Sequence, residues 1–304
     1  MRILITGAGG FVGRHTANEL TAHGHEPIGL DIGKAPPELA PDHFITADIT
    51  DAKAIHKAIE TTAPDACIHL AALSFVPSGV ASPRTMLDVN LNGTINILEA
   101  FRLAAPTARL LFVSTAQVYG LTARPTPIRE DDPLRPVSLY AVAKAAADTT
   151  ALLYARDYGL DIRTARPHNH IGPNQSPQFA VPAFARQVKA IRNGAAPLMK
   201  VGNLDNRRDF TDVRDVAVAY RLLIEKGHSG AAYNIASGHE VRMGDILDQL
   251  CELAGVHPEI VTDPTLFRPT DQAPVLDCSR LRADTGWTPG LPLARTLADI
   301  LANS

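Results

Sequence analysis

Tyr140 and Lys144 form a YxxxK pattern within 139–158, a segment whose residue pattern is typical of a helix. A spacing of four residues places both side chains on one face of a helix. A phenol has an ordinary pKa of about 10, and a nearby ammonium stabilises its phenolate. Tyr140 is therefore a candidate acid or base, and Lys144 is a candidate to tune it.

A third candidate residue, Thr115, belongs to the segment STAQVYG at 114–120, which directly follows a predicted strand at 109–113. The carboxyl ends of parallel strands form the edge where doubly wound folds bind ligands. There the Thr115 hydroxyl can hydrogen-bond the substrate oxygen that Tyr140 protonates or deprotonates. We predict Thr115, Tyr140 and Lys144 as the catalytic set.

A glycine-rich loop, GAGGFVG, follows the first predicted strand and opens the first predicted helix. Its first glycines allow a tight turn and a close approach of backbone to a pyrophosphate, and its last glycine lets the helix pack on the strand. The N–H groups at the helix N-terminus then face the anion. The predicted cofactor contacts in this loop are Gly7, Gly10, Phe11, Val12 and Gly13.

Asp31 ends the second predicted strand about 20 residues beyond the loop, where a carboxylate accepts hydrogen bonds from the adenosine ribose. A carboxylate there repels a 2'-phosphate, so we expect NAD(H) to be preferred, with NADP(H) possible. The alternative is that Asp31 only caps a turn before Gly33. The other predicted cofactor contacts are Asp48, Ile49, Leu70, Ala71, Ala72, Tyr140 and Lys144.

Short apolar runs alternate with longer helical patterns through the first half of the chain, which is typical of a parallel sheet covered on both faces. The sequence therefore predicts an α/β fold with a doubly wound parallel sheet of the Rossmann type. The predicted strands are 3–6, 27–30, 43–46, 66–70, 109–113 and 161–165, and the predicted helices are 12–23, 52–60, 84–104 and 139–158.

The pattern changes near residue 166, where loops punctuated by Pro and Gly separate further helical patterns at 180–192, 213–226 and 243–253. A predicted strand at 231–235 is a candidate to rejoin the main sheet. We predict a dinucleotide-binding domain over 1–165 and a smaller, loop-rich lobe over 166–304 that mainly binds substrate. The two are expected to interleave around 205–240.

The composition argues against several classes of protein. A formal net charge of -3 provides no basic surface for nucleic acid. No apolar run of 18 residues predicts a membrane span. The three cysteines, Cys67, Cys251 and Cys278, lack metal-ligand spacing. We therefore expect a reduced, cytoplasmic protein without a bound metal that acts on a small molecule.

The glycine loop, the STxxVYG segment and the YxxxK pattern occur in this order along the chain. Together they resemble the extended short-chain dehydrogenase/reductase family of sugar-nucleotide epimerases, dehydratases and reductases, over essentially the whole sequence. The resemblance implies an NAD(P)-dependent enzyme with a nucleotide-sugar substrate, in which Lys144 also reaches the nicotinamide ribose. It further implies a homodimer through two helices of each subunit, here 84–104 and 139–158.

The second half of the chain is similar to the GDP-mannose branch of that family. The similarity is carried by RPHNHIGPNQ at 166–175, KVGN at 200–203, RRDFTDVRD at 207–215 and FRPTD at 267–271. It implies a GDP-hexose, whose hydroxyls suit an amide and whose diphosphate suits guanidinium groups. The implied substrate contacts are Gln117, Asn169, Lys200, Arg208 and Arg268.

Two residues depart from the pattern of that branch, since His168 stands where Phe is usual and Asn174 where Gly is usual. We expect the shape of the loop near the sugar to differ there. Other polar residues have a structural interpretation. Arg208 has the alternative of pairing with Asp212 or Asp215. The residues interpreted as structural are Asn90, His170, Arg214 and Trp287.

The reaction type depends on the two residues after Thr115. Dehydratases of the family carry an acidic or hydroxyl residue and then Glu there, whereas this chain has Ala116 and Gln117, neither of which titrates. The resemblance therefore implies reduction of the C4 ketone of GDP-4-dehydro-6-deoxy-D-mannose to GDP-D-rhamnose. The alternatives are a nucleotide-sugar 4-epimerase with tightly bound NAD and a noncatalytic dinucleotide sensor.

Overall fold

The computed structural model describes residues 1–74, 81–121, 126–267 and 275–304. The strands of its seven-stranded main sheet are β1 (Arg2–Thr6), β2 (Glu26–Asp31), β3 (Phe44–Thr46), β4 (Ala66–His69), β5 (Arg109–Val113), β6 (Ile162–Pro167) and β10 (Ala232–Ile235). All neighbouring strands are parallel, in the order β10-β6-β5-β4-β1-β2-β3. The doubly wound α/β prediction is confirmed, and the strand predicted at 231–235 does rejoin the sheet.

Helices cover both faces of this sheet. One layer consists of α1 (Phe11–Ala22) and α7 (Val213–Lys226), and the other consists of α2 (Ala52–Thr62), α4 (Gly93–Ala104) and α5 (Leu139–Tyr158). Strand side chains alternate between the layers, so that Ile3 and Ile5 contact the first while Leu4 contacts the second. Because both faces are buried, the central strands are apolar at nearly every position.

The strand order reverses at β1, which has β2 on one side and β4 on the other. In doubly wound folds the crevice at such a switch point, outside the carboxyl ends of the strands, is where ligands bind. The glycine loop leaves β1 at this point, the segment 70–73 leaves β4, and the segment beginning at Ser114 leaves β5. The predicted site residues of the first half therefore meet at one edge of the sheet.

The helix predicted over 84–104 is not regular. The structure has α3 (Pro83–Leu87), a π-helical turn over Asp88–Asn92, and then α4. The wider π turn carries Asn90, whose Oδ1 accepts a hydrogen bond from the Leu73 N–H (2.8 Å) and whose Nδ2 donates to the Leu73 carbonyl (3.0 Å). The structural role predicted for Asn90 is confirmed, since it fixes the segment that follows β4.

The second half of the chain contains more regular structure than the sequence predicted. The short strands β7 (Asn169–Ile171), β9 (Arg207–Asp212) and β11 (Glu240–Arg242) form one sheet, and β8 (Leu198–Val201) pairs with β12 (Glu259–Thr262). Four of these strands have three or four residues, too few for a clear alternating pattern, and every residue of β12 is exposed. The six residues of β9 are mostly polar. The helices of this half are α6 (Ala180–Arg192), α8 (Met243–Ala254), α9 (Ser279–Thr285) and α10 (Leu293–Ala302).

Trp287 shows that the end of the chain returns to the main sheet. Its side chain is buried in the core between the sheet and α7, and its Nε1–H donates to the Asp215 carbonyl at 2.9 Å. The predicted packing role of Trp287 is confirmed. The division at residue 165 stays a prediction. Of the helices in the described residues, none is both long and apolar enough to cross a membrane.

Candidate active site

The Thr115 and Tyr140 hydroxyl groups lie near each other, close enough for Thr115 to act on the pKa of Tyr140. Thr115 is the second residue after β5. It caps a short 3-10 helix, Ala116–Tyr119, by accepting from the Gln117 N–H at 3.3 Å. Tyr140 lies in the first turn of α5, which Ser138 caps by accepting from the Ala141 N–H. Two capped turns thus hold the predicted hydroxyl pair in place.

Tyr140 is a phenol throughout the neutral pH range. Its side chain is buried, and burial raises its pKa to about 12, although the hydrogen bond from Thr115 acts in the opposite direction. The stabilisation of the phenolate by Lys144 that the YxxxK pattern predicts stays a prediction. A group that keeps its proton at neutral pH is suited to donate it to a developing alkoxide.

Lys144 lies one helical turn from Tyr140 and is also buried. Burial lowers the pKa of its ammonium to about 7, while the negative charge of Asp148 acts to raise it. Its Nζ lies over the ring of Phe112 on β5, 4.3 Å from the ring centroid. Lys144 is therefore poised between its charged and neutral forms near neutral pH, and its charge is sensitive to its neighbours.

The glycine loop fits a dinucleotide. The N-terminus of α1 has no side-chain cap among the described residues, so its first N–H groups, including those of Phe11 and Val12, are free to bind an anion. Gly7 has φ +71° and packs so closely on the segment after β4 that a Cβ would lie 2.8 Å from the Ala71 nitrogen. A Cβ at Gly13 would lie 2.4 Å from the Gly7 carbonyl oxygen. Glycine is required at both positions.

Asp31 ends β2 beside this loop. Its Oδ2 accepts from the Gly9 N–H and its Oδ1 from the Gly33 N–H, both at 3.0 Å. The interpretation of Asp31 as a turn cap is therefore correct. Each carboxylate oxygen retains a further lone pair, so that the same group can also accept from two ribose hydroxyls. The ribose role of Asp31 stays a prediction that the geometry permits.

The remaining predicted cofactor contacts lie at the same edge. Asp48 is exposed and accepts from the Thr50 N–H at 2.8 Å, which fixes the turn after β3. The Ile49 side chain is buried against Gly93, so only its backbone faces outward. Leu70, Ala71 and Ala72 are half-buried in the segment after β4. Their small or apolar side chains leave this backbone accessible.

The sequence did not assign a role to His69, which fixes that backbone. The hydroxyl of Thr6 accepts from the Ala71 N–H (3.1 Å) and donates to His69 Nδ1 (2.6 Å), while His69 Nε2–H donates to Thr94 Oγ1 (3.1 Å). The Thr94 hydroxyl donates in turn to the Asn90 carbonyl, which sets these directions. Burial, and then the Lys144 charge, lower the pKa of His69 to about 3, so it stays neutral.

The loop after β7 packs on the start of α1. The His170 ring stacks on Phe11 with centroids 6.3 Å apart, and its Nδ1–H donates to the His168 carbonyl. The loop-ordering role predicted for His170 is consistent with these contacts. Asn174 has φ +69°, the left-handed conformation that glycine favours and asparagine tolerates. The chain can therefore keep the turn that glycine makes in similar sequences.

Asn169 and Arg208 lie on neighbouring strands of the three-stranded sheet. Asn169 on β7 pairs with Phe210 on β9, two residues beyond Arg208, which is half-buried. Of the two alternative partners suggested for Arg208, Asp212 binds the Arg214 guanidinium and Asp215 accepts from two backbone N–H groups. Arg214 also pairs with Asp299 (2.8 Å), which confirms its structural role.

Two further predicted substrate contacts lie in different parts of the described chain. Lys200 is exposed on β8, in the separate two-stranded sheet, where its backbone pairs with the side chain of Gln187. Gln117 is exposed beside Thr115, whereas Ala116 is buried. Arg268 lies outside the described residues. Among the described residues, the geometry thus places only Asn169 and Arg208 on neighbouring strands.

Asp148 and Arg166 form a buried ion pair beneath the site that the sequence analysis missed. Arg166 Nε lies 2.8 Å from Asp148 Oδ2, and Nη2 lies 3.1 Å from Oδ1. A signal was present, because Asp148 is the one acidic residue among the alanines that follow Lys144 and lies four residues after it. Its spacing places it on the same helix face as Lys144 and Tyr140.

Comparisons with known proteins agree with this geometry. The family model described as GDP-mannose 4,6 dehydratase matches residues 4–300. The chain is 36% identical to GDP-6-deoxy-D-mannose reductase of Pseudomonas aeruginosa, over 99% of this chain and 96% of that protein. Its fold is similar to RMD from Pseudomonas aeruginosa complexed with NADPH, with a TM-score of 0.89, 33% identity, and coverage of 99% and 98%. It is also similar to UDP-glucose 4-epimerase from Thermus thermophilus in complex with NAD, with a TM-score of 0.87, 30% identity, and coverage of 100% and 98%.

We expect Tyr140→Phe to remove the proton donor while leaving the ring and the cofactor cradle in place. Turnover should fall by about 10²–10⁴-fold, the usual contribution of a positioned acid or base. The dissociation constant of NADH, measured by fluorescence, should rise by no more than about tenfold, since loss of the predicted contact of the Tyr140 hydroxyl removes at most one hydrogen bond to the cofactor. Unaltered turnover in this variant would assign the proton to another group.

Proposed function

Because the chain belongs to the GDP-mannose 4,6 dehydratase family, we propose that it is a nucleotide-sugar reductase. The proposed reaction is reduction of the C4 ketone of GDP-4-dehydro-6-deoxy-D-mannose with NAD(P)H to give GDP-D-rhamnose. The similarity to GDP-6-deoxy-D-mannose reductase over nearly the full length of both chains supports this substrate class. The carboxyl-edge cradle supports the cofactor class, and similar folds have been solved with NADPH and with NAD.

The pair of Thr115 and Tyr140 carries the proposal, because it presents a protonated phenol at the carboxyl edge. The nicotinamide, when bound, supplies the hydride that the carbonyl carbon accepts. Thr115 hydrogen-bonds the carbonyl oxygen and polarises it, and Tyr140 gives its proton to that oxygen as negative charge develops. Lys144 in its ammonium form then stabilises the phenolate that remains.

Dehydration is disfavoured by the residues beside Thr115. Loss of water across C5 and C6 of the sugar needs one group to remove a proton and another to protonate the leaving hydroxyl. Ala116 is buried and has no polar side chain, and Gln117 carries an amide that does not titrate. We infer that this member of the family starts from a sugar that has already been dehydrated.

The second candidate is a nucleotide-sugar 4-epimerase, which the similarity to the Thermus thermophilus enzyme favours. The same hydroxyl pair serves either reaction. The difference is that an epimerase regenerates its own cofactor, whereas a reductase consumes one NAD(P)H for each product. A noncatalytic sensor would have no use for the buried pair and its neighbouring lysine.

We propose that the second half of the chain, 166–304, mainly binds the nucleotide sugar. Asn169 and Arg208 are the best-supported contacts, since they lie on adjacent strands, the first of which directly follows β6. An amide and a guanidinium there suit sugar hydroxyls and diphosphate oxygens, respectively. Lys200 and Arg268 remain predicted contacts, and the cytoplasmic location remains a prediction.

The first test asks whether the protein reduces a ketone or dehydrates a sugar. Given preformed GDP-4-dehydro-6-deoxy-D-mannose, the protein should oxidise one NADH per sugar consumed, and NMR of the product should show a new C4 stereocentre. Given GDP-mannose and NAD alone, it should form no 4-keto-6-deoxy sugar, because elimination lacks its acid and base. Tyr140→Phe, with its cradle intact, controls for enzyme-independent loss of NADH.

Two results would redirect the proposal about the reaction. Formation of the keto sugar from GDP-mannose would establish a dehydratase despite Ala116 and Gln117. Interconversion of UDP-hexoses by purified protein without added cofactor would establish an epimerase that retains bound NAD. Each product has a distinct NMR signature, so the three reactions can be separated in one set of assays.

The second test concerns the cofactor, for which we propose a preference for NADH. The Asp31 carboxylate would face a 2'-phosphate, and like charges 4 Å apart repel by about 1 kcal/mol even in water. Arg14, on the helix that the loop opens, does not offset this, since it is paired with Glu38 through Nε and Nη2 at 2.7–2.9 Å. We expect kcat/KM to be at least about fivefold higher with NADH, the factor that 1 kcal/mol gives.

Asp31→Asn should reduce that ratio, since it removes the charge but keeps the size of the side chain. Glu38→Gln is a matched variant that also removes one negative charge, and it frees Arg14 to approach a phosphate. A clear NADPH preference in the unaltered protein would remove Asp31 from the role of selecting the cofactor.

The third test concerns a homodimer, which we propose forms through α4 and α5. Val142, Thr149 and Leu153 are exposed on α5 at helical spacing, and Leu103 is exposed on α4. The two helices are joined beneath this surface, where the Tyr154 hydroxyl donates to Glu99 at 2.7 Å. Light scattering should give twice the chain mass for the unaltered protein. Leu153→Glu should give the mass of one chain, while Leu253→Glu, a similarly exposed change on α8, should not.

A further inference from the structure

Asp148 and Arg166 lie in a buried polar network that reaches from α5 to the end of the main sheet. Asp148 is fully buried, and Arg166 is 4% exposed. Arg166 Nη1 donates to the Tyr119 hydroxyl (2.9 Å) and to the Glu130 carbonyl (2.8 Å). The Tyr119 hydroxyl donates in turn to Asn234 Oδ1 at 2.7 Å. Every hydrogen-bonding group named here has a partner, as buried polar groups require.

This network joins the two catalytic segments. Tyr119 ends the short 3-10 helix that Thr115 caps, and Asp148 lies two helical turns after Tyr140 on α5. Arg166 stands between them on β6 and bonds to both Tyr119 and Asp148. A shift of α5 relative to the Thr115 segment would therefore break hydrogen bonds of a buried guanidinium, which is costly.

The charge at Lys144 depends on the same network. Asp148 is one helical turn from Lys144, and its carboxylate opposes the effect of burial on the ammonium. The carboxylate is shared, because Arg166 binds both of its oxygens. The net electrostatic effect on the Lys144 ammonium is thus the sum of attraction by the nearby Asp148 and repulsion by the more distant Arg166.

The other groups that face Lys144 do not supply this balance. His69, from β4, stays neutral because burial holds its pKa near 3. Tyr140, on the same helix, keeps its proton because burial raises its pKa to about 12. From β5, Phe112 presents only its ring. On α4, which packs beside α5, Glu99 lies against Tyr154, ten residues along α5 from Lys144, and is engaged with Arg102.

We propose that Asp148 and Arg166 are a positioning pair for catalysis, in which Asp148 favours the ammonium form of Lys144, Arg166 limits that effect, and the two together lock Tyr140 in register with Thr115. Neither residue touches the reacting atoms; both act through Lys144 and Tyr119. The kinetic consequence rests on the proposed function, but the charge on Lys144 is measurable without any substrate. The two members have opposite charges, so their removal must change Lys144 in opposite directions.

The test measures the protonation of Lys144 directly. The chain has only seven lysines, at 34, 53, 57, 144, 189, 200 and 226, so NMR of protein labelled with carbon-13 at lysine Cε resolves few signals. Lys144→Met identifies the signal of interest by its loss. The chemical shift of Cε, followed against pH, then gives the pKa of Lys144 in each variant.

Asp148→Asn should lower the pKa of Lys144 by about one unit or more, because the nearby negative charge is lost and Arg166 remains. Arg166→Met should raise it by a similar amount, because Asp148 is no longer shared. The double variant should lie within about half a unit of the unaltered protein, since both charges are gone. Arg166→Lys, which keeps the charge, and Tyr119→Phe, which removes one hydrogen bond and no charge, should leave the pKa near its original value.

Shifts in the same direction for the two single variants, or none in either, would overturn the proposal. If Asp148→Asn does not fold, Arg166→Met and Arg166→Lys still decide it, since only the former should raise the pKa. Turnover provides a second readout. For ketone reduction, kcat should fall as pH rises through the pKa of Lys144, with that fall moved to lower pH by Asp148→Asn and to higher pH by Arg166→Met. Failure of the unaltered protein to reduce the ketone would refute the proposed function and leave the NMR result standing.

Discussion

The burial of a lysine ammonium is the constraint on which the rest of the site depends. A charge moved from water into a protein interior must be compensated, or the group loses its proton. Lys144 is near that limit, with a pKa lowered to about 7. Its compensation comes from Asp148, and the buried Asp148 is itself compensated by Arg166. Three charges on two elements therefore have to be placed together, and the sheet and α5 provide that placement.

The same constraint explains why the neighbouring polar groups form closed sets of hydrogen bonds. His69 is kept neutral and has both ring nitrogens engaged by the hydroxyls of Thr6 and Thr94. An imidazolium there would add a second positive charge beside Lys144. By staying neutral, His69 can fix the Ala71 backbone at the cofactor edge without competing for Asp148. The cofactor cradle and the proton donor are thus stabilised by separate networks that meet around one lysine.

Local sequence signals predicted most of the main sheet because every strand except β3 is mostly buried, and because a glycine loop opens the helix after β1 while Asp51 caps the helix after β3. The Thr115 and Tyr140 pair was predictable because the STxxVYG segment directly follows a strand of the main sheet and the YxxxK pattern lies on the α-helix that comes next along the chain. The π turn around Asn90 was not, because it depends on a contact with Leu73 from another segment. Arg166 lies in the segment RPHNHIGPNQ, but its role could not be predicted, since its partner Asp148 is distant in sequence and adjacent only after folding. The strands of the two smaller sheets could not be predicted, because they have no long repeating pattern of apolar residues.

The chemistry of such a site is decided by few residues on a shared frame. The hydroxyl pair, the buried lysine and the cradle serve any reaction in which a hydride and a proton move between a cofactor and a secondary alcohol or its ketone. Elimination needs two further titratable groups, and at the two positions directly after Thr115 this chain has a buried methyl group and an amide. Neither of those two side chains makes the hydrogen bonds that hold Arg166, because Arg166 bonds to this turn through the Tyr119 hydroxyl. A fold of this kind can therefore gain or lose elimination while its proton donor remains the same.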